Sequence, residues 1–480
     1  MEIMLRIKRV SVLIFFLAAV SFSLLGQGVD TSKKLETYYI SSSSGNDLND
    51  GLTVGTPKRH ISAIGKKDNV CIKLKRNDVF FEQLREYNNC IIEDYGKGDK
   101  PVLCGFKVLT NPKAWFYDRE SGCWKLDLSE EQNFTGMMHG DVEDDRINNI
   151  GFIYDPAKDK VYGRRVRYIK DLTENGRFYI TEQFEKESIN KDSFRYLTWK
   201  LDSDPRRIKR VCLSTYLVGL RHMNNCTVRN IAIVGFNFGI VTCDGTLVDN
   251  CQIDLIGGSV AIGFNGWVRY GNGIEFSWGN RNSHIKNCII SRTFDCGATI
   301  QASGNFRGSP DNIRLLNNRF YHCRQAFEFF LNPSNDSRPQ YNSCSFSDNI
   351  CYMMGENEFS QPETRDANLL SYDRFGKSIS IEGNIFFGAP HYCGASYPAG
   401  MKDNIVYLYE GQYLTHYHDR RPYPSVYANS TKDIESYRNQ NGDNSLFTIL
   451  KKGTIKAIRV ERKVRKKVGW KPVDLKLERL

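Results

Sequence analysis

The sequence predicts an all-β chain wound as a parallel solenoid, and three observations carry that prediction. Similar segments recur: NNCTVRNIAIVGF (224–236), VDNCQIDLIGG (248–258), IKNCIISRTFDCGATI (285–300), LLNNRFYHCRQAFEFF (315–330), YNSCSFSDNICYMMG (341–355) and SISIEGNIFFG (378–388). Each holds a short strand of period two, an Asn-containing turn and a second short strand, with no helical period between them. The clearest spacing, Asn287 to Asn317, is 30 residues. Units this short bury a core only by stacking on their neighbours. Length agrees, because the 480 residues, or about 450 without the N-terminal apolar leader, exceed the ~250–300 at which one compact core normally splits, and a stacked fold avoids that limit by elongating.

The elements follow in order along the chain. Residues 1–28 open with Arg6, Lys8 and Arg9, continue through an apolar run from Val10 to about Leu25, and end in small and polar residues. That is the layout of a secretory signal peptide, and no later stretch is apolar for ~18 residues, so no transmembrane span is expected after its removal. A secreted, periplasmic or cell-surface location follows as the expectation. The segment YYISSSSGNDLNDGLTVGTPKRHISAI (38–64) begins the folded part. Asn49, Asp50 and Gly51 make a tight turn, Pro57 fixes the chain, and HISAI reads as a short capping helix.

This opening segment resembles that of secreted right-handed parallel β-helix proteins of the pectate-lyase-like superfamily. Their usual form is an aromatic strand, Ser-x-x-Gly-Asn-Asp, Asn-Asp-Gly and Thr-Pro. The resemblance continues at NIGFIYD (149–155), GRRVRYIKDL (163–172), GRFYI (176–180), VCLSTYL (211–217), RYGNGIEFSW (269–278) and FDCGATIQ (294–301). It implies a right-handed parallel β-helix over residues 38–394 and an activity of the polysaccharide lyase or glycoside hydrolase type. An irregular, aromatic-rich insertion interrupts the helix at about 106–200. The repeated rungs run from 221 to 390, a closing segment from 395 to 450, and a basic tail from 451 to 480. Within the insertion, Trp115 and Trp124 are expected to be buried, with a sugar-stacking platform as the alternative. YRNQNGDNSLFTIL (437–450) reads as a short helix, a turn and a strand that closes the last rung.

Fourteen cysteines in an exported chain normally signal disulfides. Cys226, Cys251 and Cys288 each follow an asparagine and precede a strand, which predicts stacked buried thiols instead. For Cys71, Cys90, Cys104 and Cys123 a disulfide is the expectation. The net charge of +11 is unevenly spread: residues 451–480 hold twelve Lys and Arg against three Asp and Glu. The body of the chain is therefore close to neutral, and the tail reads as a solvated end, with attraction to a polyanion or an anionic membrane surface as the alternative. Export argues against a nucleic-acid partner, and nothing in the repeats calls for an oligomer, so a monomer is expected.

Chemistry is sought on outward positions, which form columns because successive strands lie ~4.8 Å apart with alternating side chains. In GIEF, GATIQ and QAFEFF the outward residues are Glu275, Thr299, Gln301 and Glu328, and equivalent strands put Glu275, Thr299 and Glu328 in one column. The register depends on one long turn, 37 residues from Asn250 to Asn287, which contains an extra strand, SVAIGF. Two rungs place the glutamate backbones ~9.6 Å apart, compatible with the roughly 6.5–9.5 Å carboxyl spacing of inverting glycosidases. Asp295 precedes Thr299 and offers a closer pair with Glu328. The candidate catalytic residues are thus Glu275, Asp295, Glu328 and Arg324. The candidate substrate-binding residues are Asn272, Gln301, Arg292, His322 and Trp278, and no metal site is expected.

A second chemistry, β-elimination from an acidic polysaccharide, needs a base and a positive group beside a uronate carboxylate. Seven Lys and Arg against three acids in 281–330 would suit such a substrate. Calcium belongs to this reading, with the acidic excursion MMGENEFSQPETRDANLLSYDRFG (353–376) as a source of ligands through Glu356, Glu358, Asp366 and Asp373. His416 and His418 in THYHD are a weak metal signal. The Asn-Thr-Asp and paired-Asp signature of polygalacturonases and the Trp-x-Asp-His and Arg-x-x-Pro signatures of pectate lyases are absent, so no catalytic role transfers residue by residue. A non-catalytic solenoid that binds glycan or a cell-surface partner is the competing expectation.

Overall fold

Short strands separated by turns that need left-handed backbone stack here into three long walls. In the computed structural model, residues 28–30, 32, 34–128, 134–135, 145–180, 195–241, 243–261, 268–277, 279–304, 308–334, 338–355, 359, 366–371, 379–395, 401–416 and 425–479 are described. Among them the strands form three ten-stranded sheets in which sequential rungs pair in parallel, the fold of a parallel β-helix. One rung illustrates the path. His284–Lys286 lies in the first sheet, Ile289–Thr293 in the second and Cys296–Gly304 in the third; the next rung repeats this with Arg314–Leu316, Arg319–Tyr321 and Gln325–Pro333. The core is the inward column of Ile, Leu, Val and Phe from all three walls, including Ile240, Ile274, Ile300, Phe327 and Phe346.

The turn between the first and second sheets explains the recurring asparagines. Asn287, Asn317, Asp348, Gly383 and Asp403 have φ between 52° and 69°, a region that Asn, Asp and Gly tolerate best. Each is followed by a buried residue, and Asn318, Asn349, Asn384 and Asn404 form a ladder. The Asn349 side chain accepts from the Asn318 N–H at 2.8 Å and donates to the Leu315 carbonyl at 3.0 Å; Asn384 does the same for the Asn349 N–H (2.8 Å) and the Phe346 carbonyl (2.9 Å). Buried backbone groups at a turn need partners, and one amide side chain per rung supplies them. In the lower rungs this ladder continues as Cys288 and Cys251, whose buried thiols fill the same position.

All fourteen cysteines are free and buried. Stacked thiols are therefore found where they were expected, and the disulfides expected among Cys71, Cys90, Cys104 and Cys123 do not form. The reason is placement: Cys90 sits in the first-sheet column directly below Cys226, Cys71 faces Glu93, and Cys123 belongs to the insertion.

A second ladder, of glycines, shapes the start of the third sheet. A Cβ at Gly239 would lie 2.4 Å from the Gly273 carbonyl oxygen and 2.7 Å from Ile253; one at Gly273 would lie 2.5 Å from the Gly297 oxygen and 2.8 Å from Ile290. These positions face the core at a corner where no side chain fits.

The insertion and the end of the solenoid lie differently from the expectation, while Trp115 and Trp124 are buried as expected. The insertion leaves the second sheet after Cys104 and rejoins the third at Val218, as two mainly antiparallel sheets with their own core. Trp115 packs against Trp199 at 5.6 Å, and Trp124 lies under the Arg206 guanidinium, so the tryptophans fill that core and are no sugar platform. The rungs also continue past Ala395: Met401–Lys402, Ile405–Tyr409 and Tyr413–His416 extend the three sheets, and Leu446–Leu450 adds the final strand of the second. The helix that precedes that strand, Thr431–Asn441, buries Ile434 and Tyr437 against the solenoid end, and Ser430 and Asp433 cap it reciprocally.

The tail is not a loose end. A helix, Ile455–Val468, lays Ala457, Val464 and Val468 on an outward aromatic stack of the second sheet that includes Tyr352, Phe387 and Tyr409. The chain then runs back along that sheet. Trp470 stacks on Tyr321 at 4.4 Å and donates to the Ser291 hydroxyl, and Leu475 and Leu477 pack beside Phe106. No helix among the described residues is long and apolar enough to cross a membrane; residues 1–27, which carry the signal-peptide reading, lie outside them.

Candidate functional site

The long turn that left the register open resolves simply. Ser259–Val260 pairs antiparallel with Arg269–Tyr270 in a side hairpin between the second and third sheets, and Ile274–Ser277 returns to the third. In register on the outer face of that sheet stand Val241, Glu275, Thr299, Glu328, Leu370 and Gly394. Ile274, Phe276, Ala298, Ile300, Phe327 and Phe329 alternate with them into the core.

Around Glu275 the polar groups converge. Asn272 donates its amide to Glu275 Oε2 at 2.8 Å, and Gln301, which accepts from Thr299 at 3.3 Å, donates to the same carboxyl, as does Ser277. Burial pushes the Glu275 carboxyl up; these hydrogen bonds oppose the shift, and the charge of Asp295 adds to it. The protonated form is thereby favoured beyond the ordinary carboxylate range. Cys296 lies at the centre of the cluster. Its thiol donates to Asn272 Oδ1 at 3.0 Å and lies 3.9 Å from Glu328 Oε2. Its proton is held tightly, first by burial and then by the charges of Glu328, Asp295 and Glu275. Three acids from three successive rungs thus surround one buried thiol.

Arg324 and Asp366 complete the floor. Asp295 sits one rung from Arg324, because the Gln325 N–H binds the Asp295 carbonyl. Both Arg324 and Asp366 are under a tenth exposed, and Arg324 Nε donates to Asp366 Oδ1 at 3.2 Å. Glu328 is 8% exposed, whereas Glu275 and Asp295 keep intermediate exposure. Aromatic residues flank the acids along the sheet. Phe238 and Tyr270 meet edge to face at 4.9 Å on one side, and Tyr413 packs with His391 (5.0 Å) and Tyr427 (4.3 Å) on the other.

Of the residues the sequence singled out, Glu275, Asp295, Glu328, Arg324, Asn272 and Gln301 share this face. Two do not. Arg292 lies in the second sheet, where Asp254 takes its guanidinium through Nε (2.9 Å) and a second nitrogen (2.5 Å), and Asp159 takes the remaining one (2.5 Å). That side chain is fastened to carboxylates and lies beneath the Trp470 ring, so it corrects the substrate-binding expectation. His322 sits in a left-handed turn (φ 50°) with its ring stacked on Tyr321, which also carries the Trp470 ring. Trp278, Glu356, Glu358, Asp373 and His418 lie outside the described residues.

Cys296 was not singled out as a site residue, and Asp366 was named only as a calcium ligand of the acidic excursion, not as a partner of Arg324. The signal for Cys296 was present: aligning Gly273 of GNGIEF with Gly297 of DCGATI places Asn272 beside Cys296. No signal marked the pairing of Asp366 with Arg324, which comes from the preceding rung. Among the described residues no group of three or more His, Cys, Asp or Glu side chains is arranged to hold a metal ion.

No family model matches the chain, and no curated protein matches it. Solved structures do. A GH136 lacto-N-biosidase from Eubacterium ramulus is 12% identical over 86% of this chain and 68% of that one, with a TM-score of 0.39. A polygalacturonase from Erwinia carotovora is 12% identical over 78% and 92%, with a TM-score of 0.33. An alginate lyase from Paenibacillus sp. is 10% identical over 81% and 94%, with a TM-score of 0.31. Likeness at this level transfers no residue role, and the parallel β-helix rests on the strand pairing described above.

Proposed function

We propose that this protein is an exported glycoside hydrolase that cuts a polysaccharide lying along the outer face of the third sheet. The observation that carries the reading is the shared row of Glu275 and Glu328, with Asp295 beside them. Glu275, whose proton is retained by burial, is the general acid that protonates the leaving oxygen. Glu328 is the base that activates water. Their backbones are ~9.6 Å apart across two rungs, leaving room for that water and giving inversion at the anomeric carbon. Asn272 and Gln301 orient the acid, and Asp295 raises its proton affinity. Arg324, held to Asp366, positions the floor. From Phe238 to Tyr413 the face spans six rungs, or about 29 Å, enough for several sugar rings.

Elimination is the weaker alternative on this surface, because the arginines it would use are committed: Arg292 to Asp254 and Asp159, Arg324 to Asp366. The test is a product assay on neutral and uronic-acid glycans. New reducing ends without ultraviolet-absorbing unsaturated ends, abolished in Glu275→Gln and Glu328→Gln, are expected. Unsaturated products would replace hydrolysis with elimination, and no product from any glycan would leave a binding solenoid.

A further inference from the structure

The surplus charge of this chain is concentrated on one docked element. Of the net +11, residues 451–480 hold +9. The helix Ile455–Val468 has spent its apolar face on Tyr352, Phe387 and Tyr409, and its one acid, Glu461, accepts from the Tyr352 and Tyr409 hydroxyls at 3.1 and 3.3 Å. What faces solvent is a crest of Lys456, Arg459, Arg462, Lys463, Lys466 and Lys467, all exposed and none ion-paired among the described residues. At 3.6 residues and 5.4 Å per turn, Arg459, Arg462, Lys463 and Lys466 make a line about 10 Å long on the side opposite the buried stripe. The helix is held in place by the Trp470 stack on Tyr321 and by the Gln252 bond to the Lys471 carbonyl.

We propose that this crest is a second binding surface, for the anionic groups of an acidic polysaccharide. It rests on the glycan reading above for the class of polymer. The charge itself asks only for a repeating anion. An interfacial helix would have to bury its apolar face in lipid, and here that face is already covered by the solenoid, leaving only Ile455 and Ile458 exposed at one end. Tyr321, under Trp470, lies seven residues before Glu328, so the crest is one corner of the solenoid away from the acids. A polyanion held there would be kept beside the groove without entering it.

The experiment is retention of the full chain, carrying Glu275→Gln, on immobilised polygalacturonate and dextran sulfate, with neutral dextran, phosphatidylglycerol vesicles and duplex DNA in parallel. The expected result is retention on the acidic glycans that falls roughly fifty-fold between about 50 and 200 mM salt, as four released counterions require. It should be lost in Arg459→Gln/Arg462→Gln/Lys463→Gln/Lys466→Gln and kept when both arginines become lysine. The substituted side chains are exposed, and an unchanged melting temperature verifies the fold. Equal retention of the neutralised variant, tighter binding to vesicles or DNA, or no binding to either acidic glycan overturns the proposal. Crest-dependent retention, together with no cleavage of any glycan by the wild-type chain, supports it while the hydrolase reading falls.

Discussion

Glu275 and Glu328 occupy the same outward row of the third sheet, two rungs apart, with the buried Thr299 between them and the Cys296 thiol in electrostatic reach of both. Their environments differ: Glu275 accepts from Asn272, Gln301 and Ser277, whereas Glu328 faces the Cys296 thiol. Two acids in unlike surroundings are what a division into proton donor and base requires.

The first prediction concerns that division. Removing either group from general acid–base catalysis should lower kcat by about 10²–10⁴-fold. With a rate bell-shaped in pH, Glu275→Gln should abolish the alkaline limb and Glu328→Gln the acid limb of whatever activity remains. Initial rates of reducing-end release across pH would decide it, and identical limbs in the two variants would remove the assignment.

Stability should respond to Glu275 in the opposite sense from an ordinary surface acid. Burial raises its proton affinity in the folded chain, so above the usual carboxylate range the folded state binds more protons than the unfolded one. Stability from this group is then lost as pH rises through that window. Glu275→Gln, which cannot ionise, should melt above wild type at neutral pH, with the difference closing as pH falls to about 4. A lower melting temperature for the variant at every pH would contradict the burial argument.

The asparagine ladder offers a purely structural test. Asn349→Leu keeps approximate volume but orphans the Asn318 N–H and the Leu315 carbonyl. Leaving two buried groups unsatisfied should cost about 3 kcal/mol. Chemical denaturation would measure it, and a cost under about 1 kcal/mol would mean that the turn repartners its backbone.

Asp254 anchors the arginine beneath the tail. It is fully buried and takes two guanidinium nitrogens of Arg292, whose ring partner is Trp470. Asp254→Asn should destabilise by about 3–5 kcal/mol, the scale for breaking a buried pair. It should also make the chain after Gly469 more accessible to protease. Unchanged proteolysis at the tail would separate the ion pair from tail docking.

Gly273 opens the strand that carries Glu275. Adding a methyl there drives a Cβ to 2.5 Å from the Gly297 oxygen, so Gly273→Ala should displace the strand. Activity should fall with substrate affinity, as expected for misplacement by about 1 Å. Wild-type kcat and KM in the variant would show that the corner yields without moving the acid.

Much of this was legible in the order of residues. A period-two strand followed by an Asn-containing turn, repeated at about 30 residues, has one stacked solution, and the in/out alternation then places Glu275, Thr299 and Glu328 on one row. The aligned glycines and asparagines mark the corners, because each sits where a Cβ cannot fit or a turn's backbone needs an amide partner. The site was less legible. Asn272 and Gln301 were found because they share short strands with the acids, whereas Asp366 reaches Arg324 across a rung, through an excursion whose length hides its register.

What the sequence determined by itself is the repeating wall and the faces of its strands, since both follow from local alternation and from the conformational needs of Asn and Gly. What only the tertiary structure decided is where the long connections go. The hairpin at 259–270 buds outward and preserves the register of Glu275; Arg292, charged and close to the acids in sequence, turns to Asp254 on another wall. A tail that reads as solvated charge becomes a docked helix, because the aromatic stack of Tyr352 and Phe387 that it covers is assembled from separate rungs and exists only once they are stacked. Such surfaces have no local signature: they are made of residues far apart in the chain, and burial of that shared apolar area is what holds the helix there.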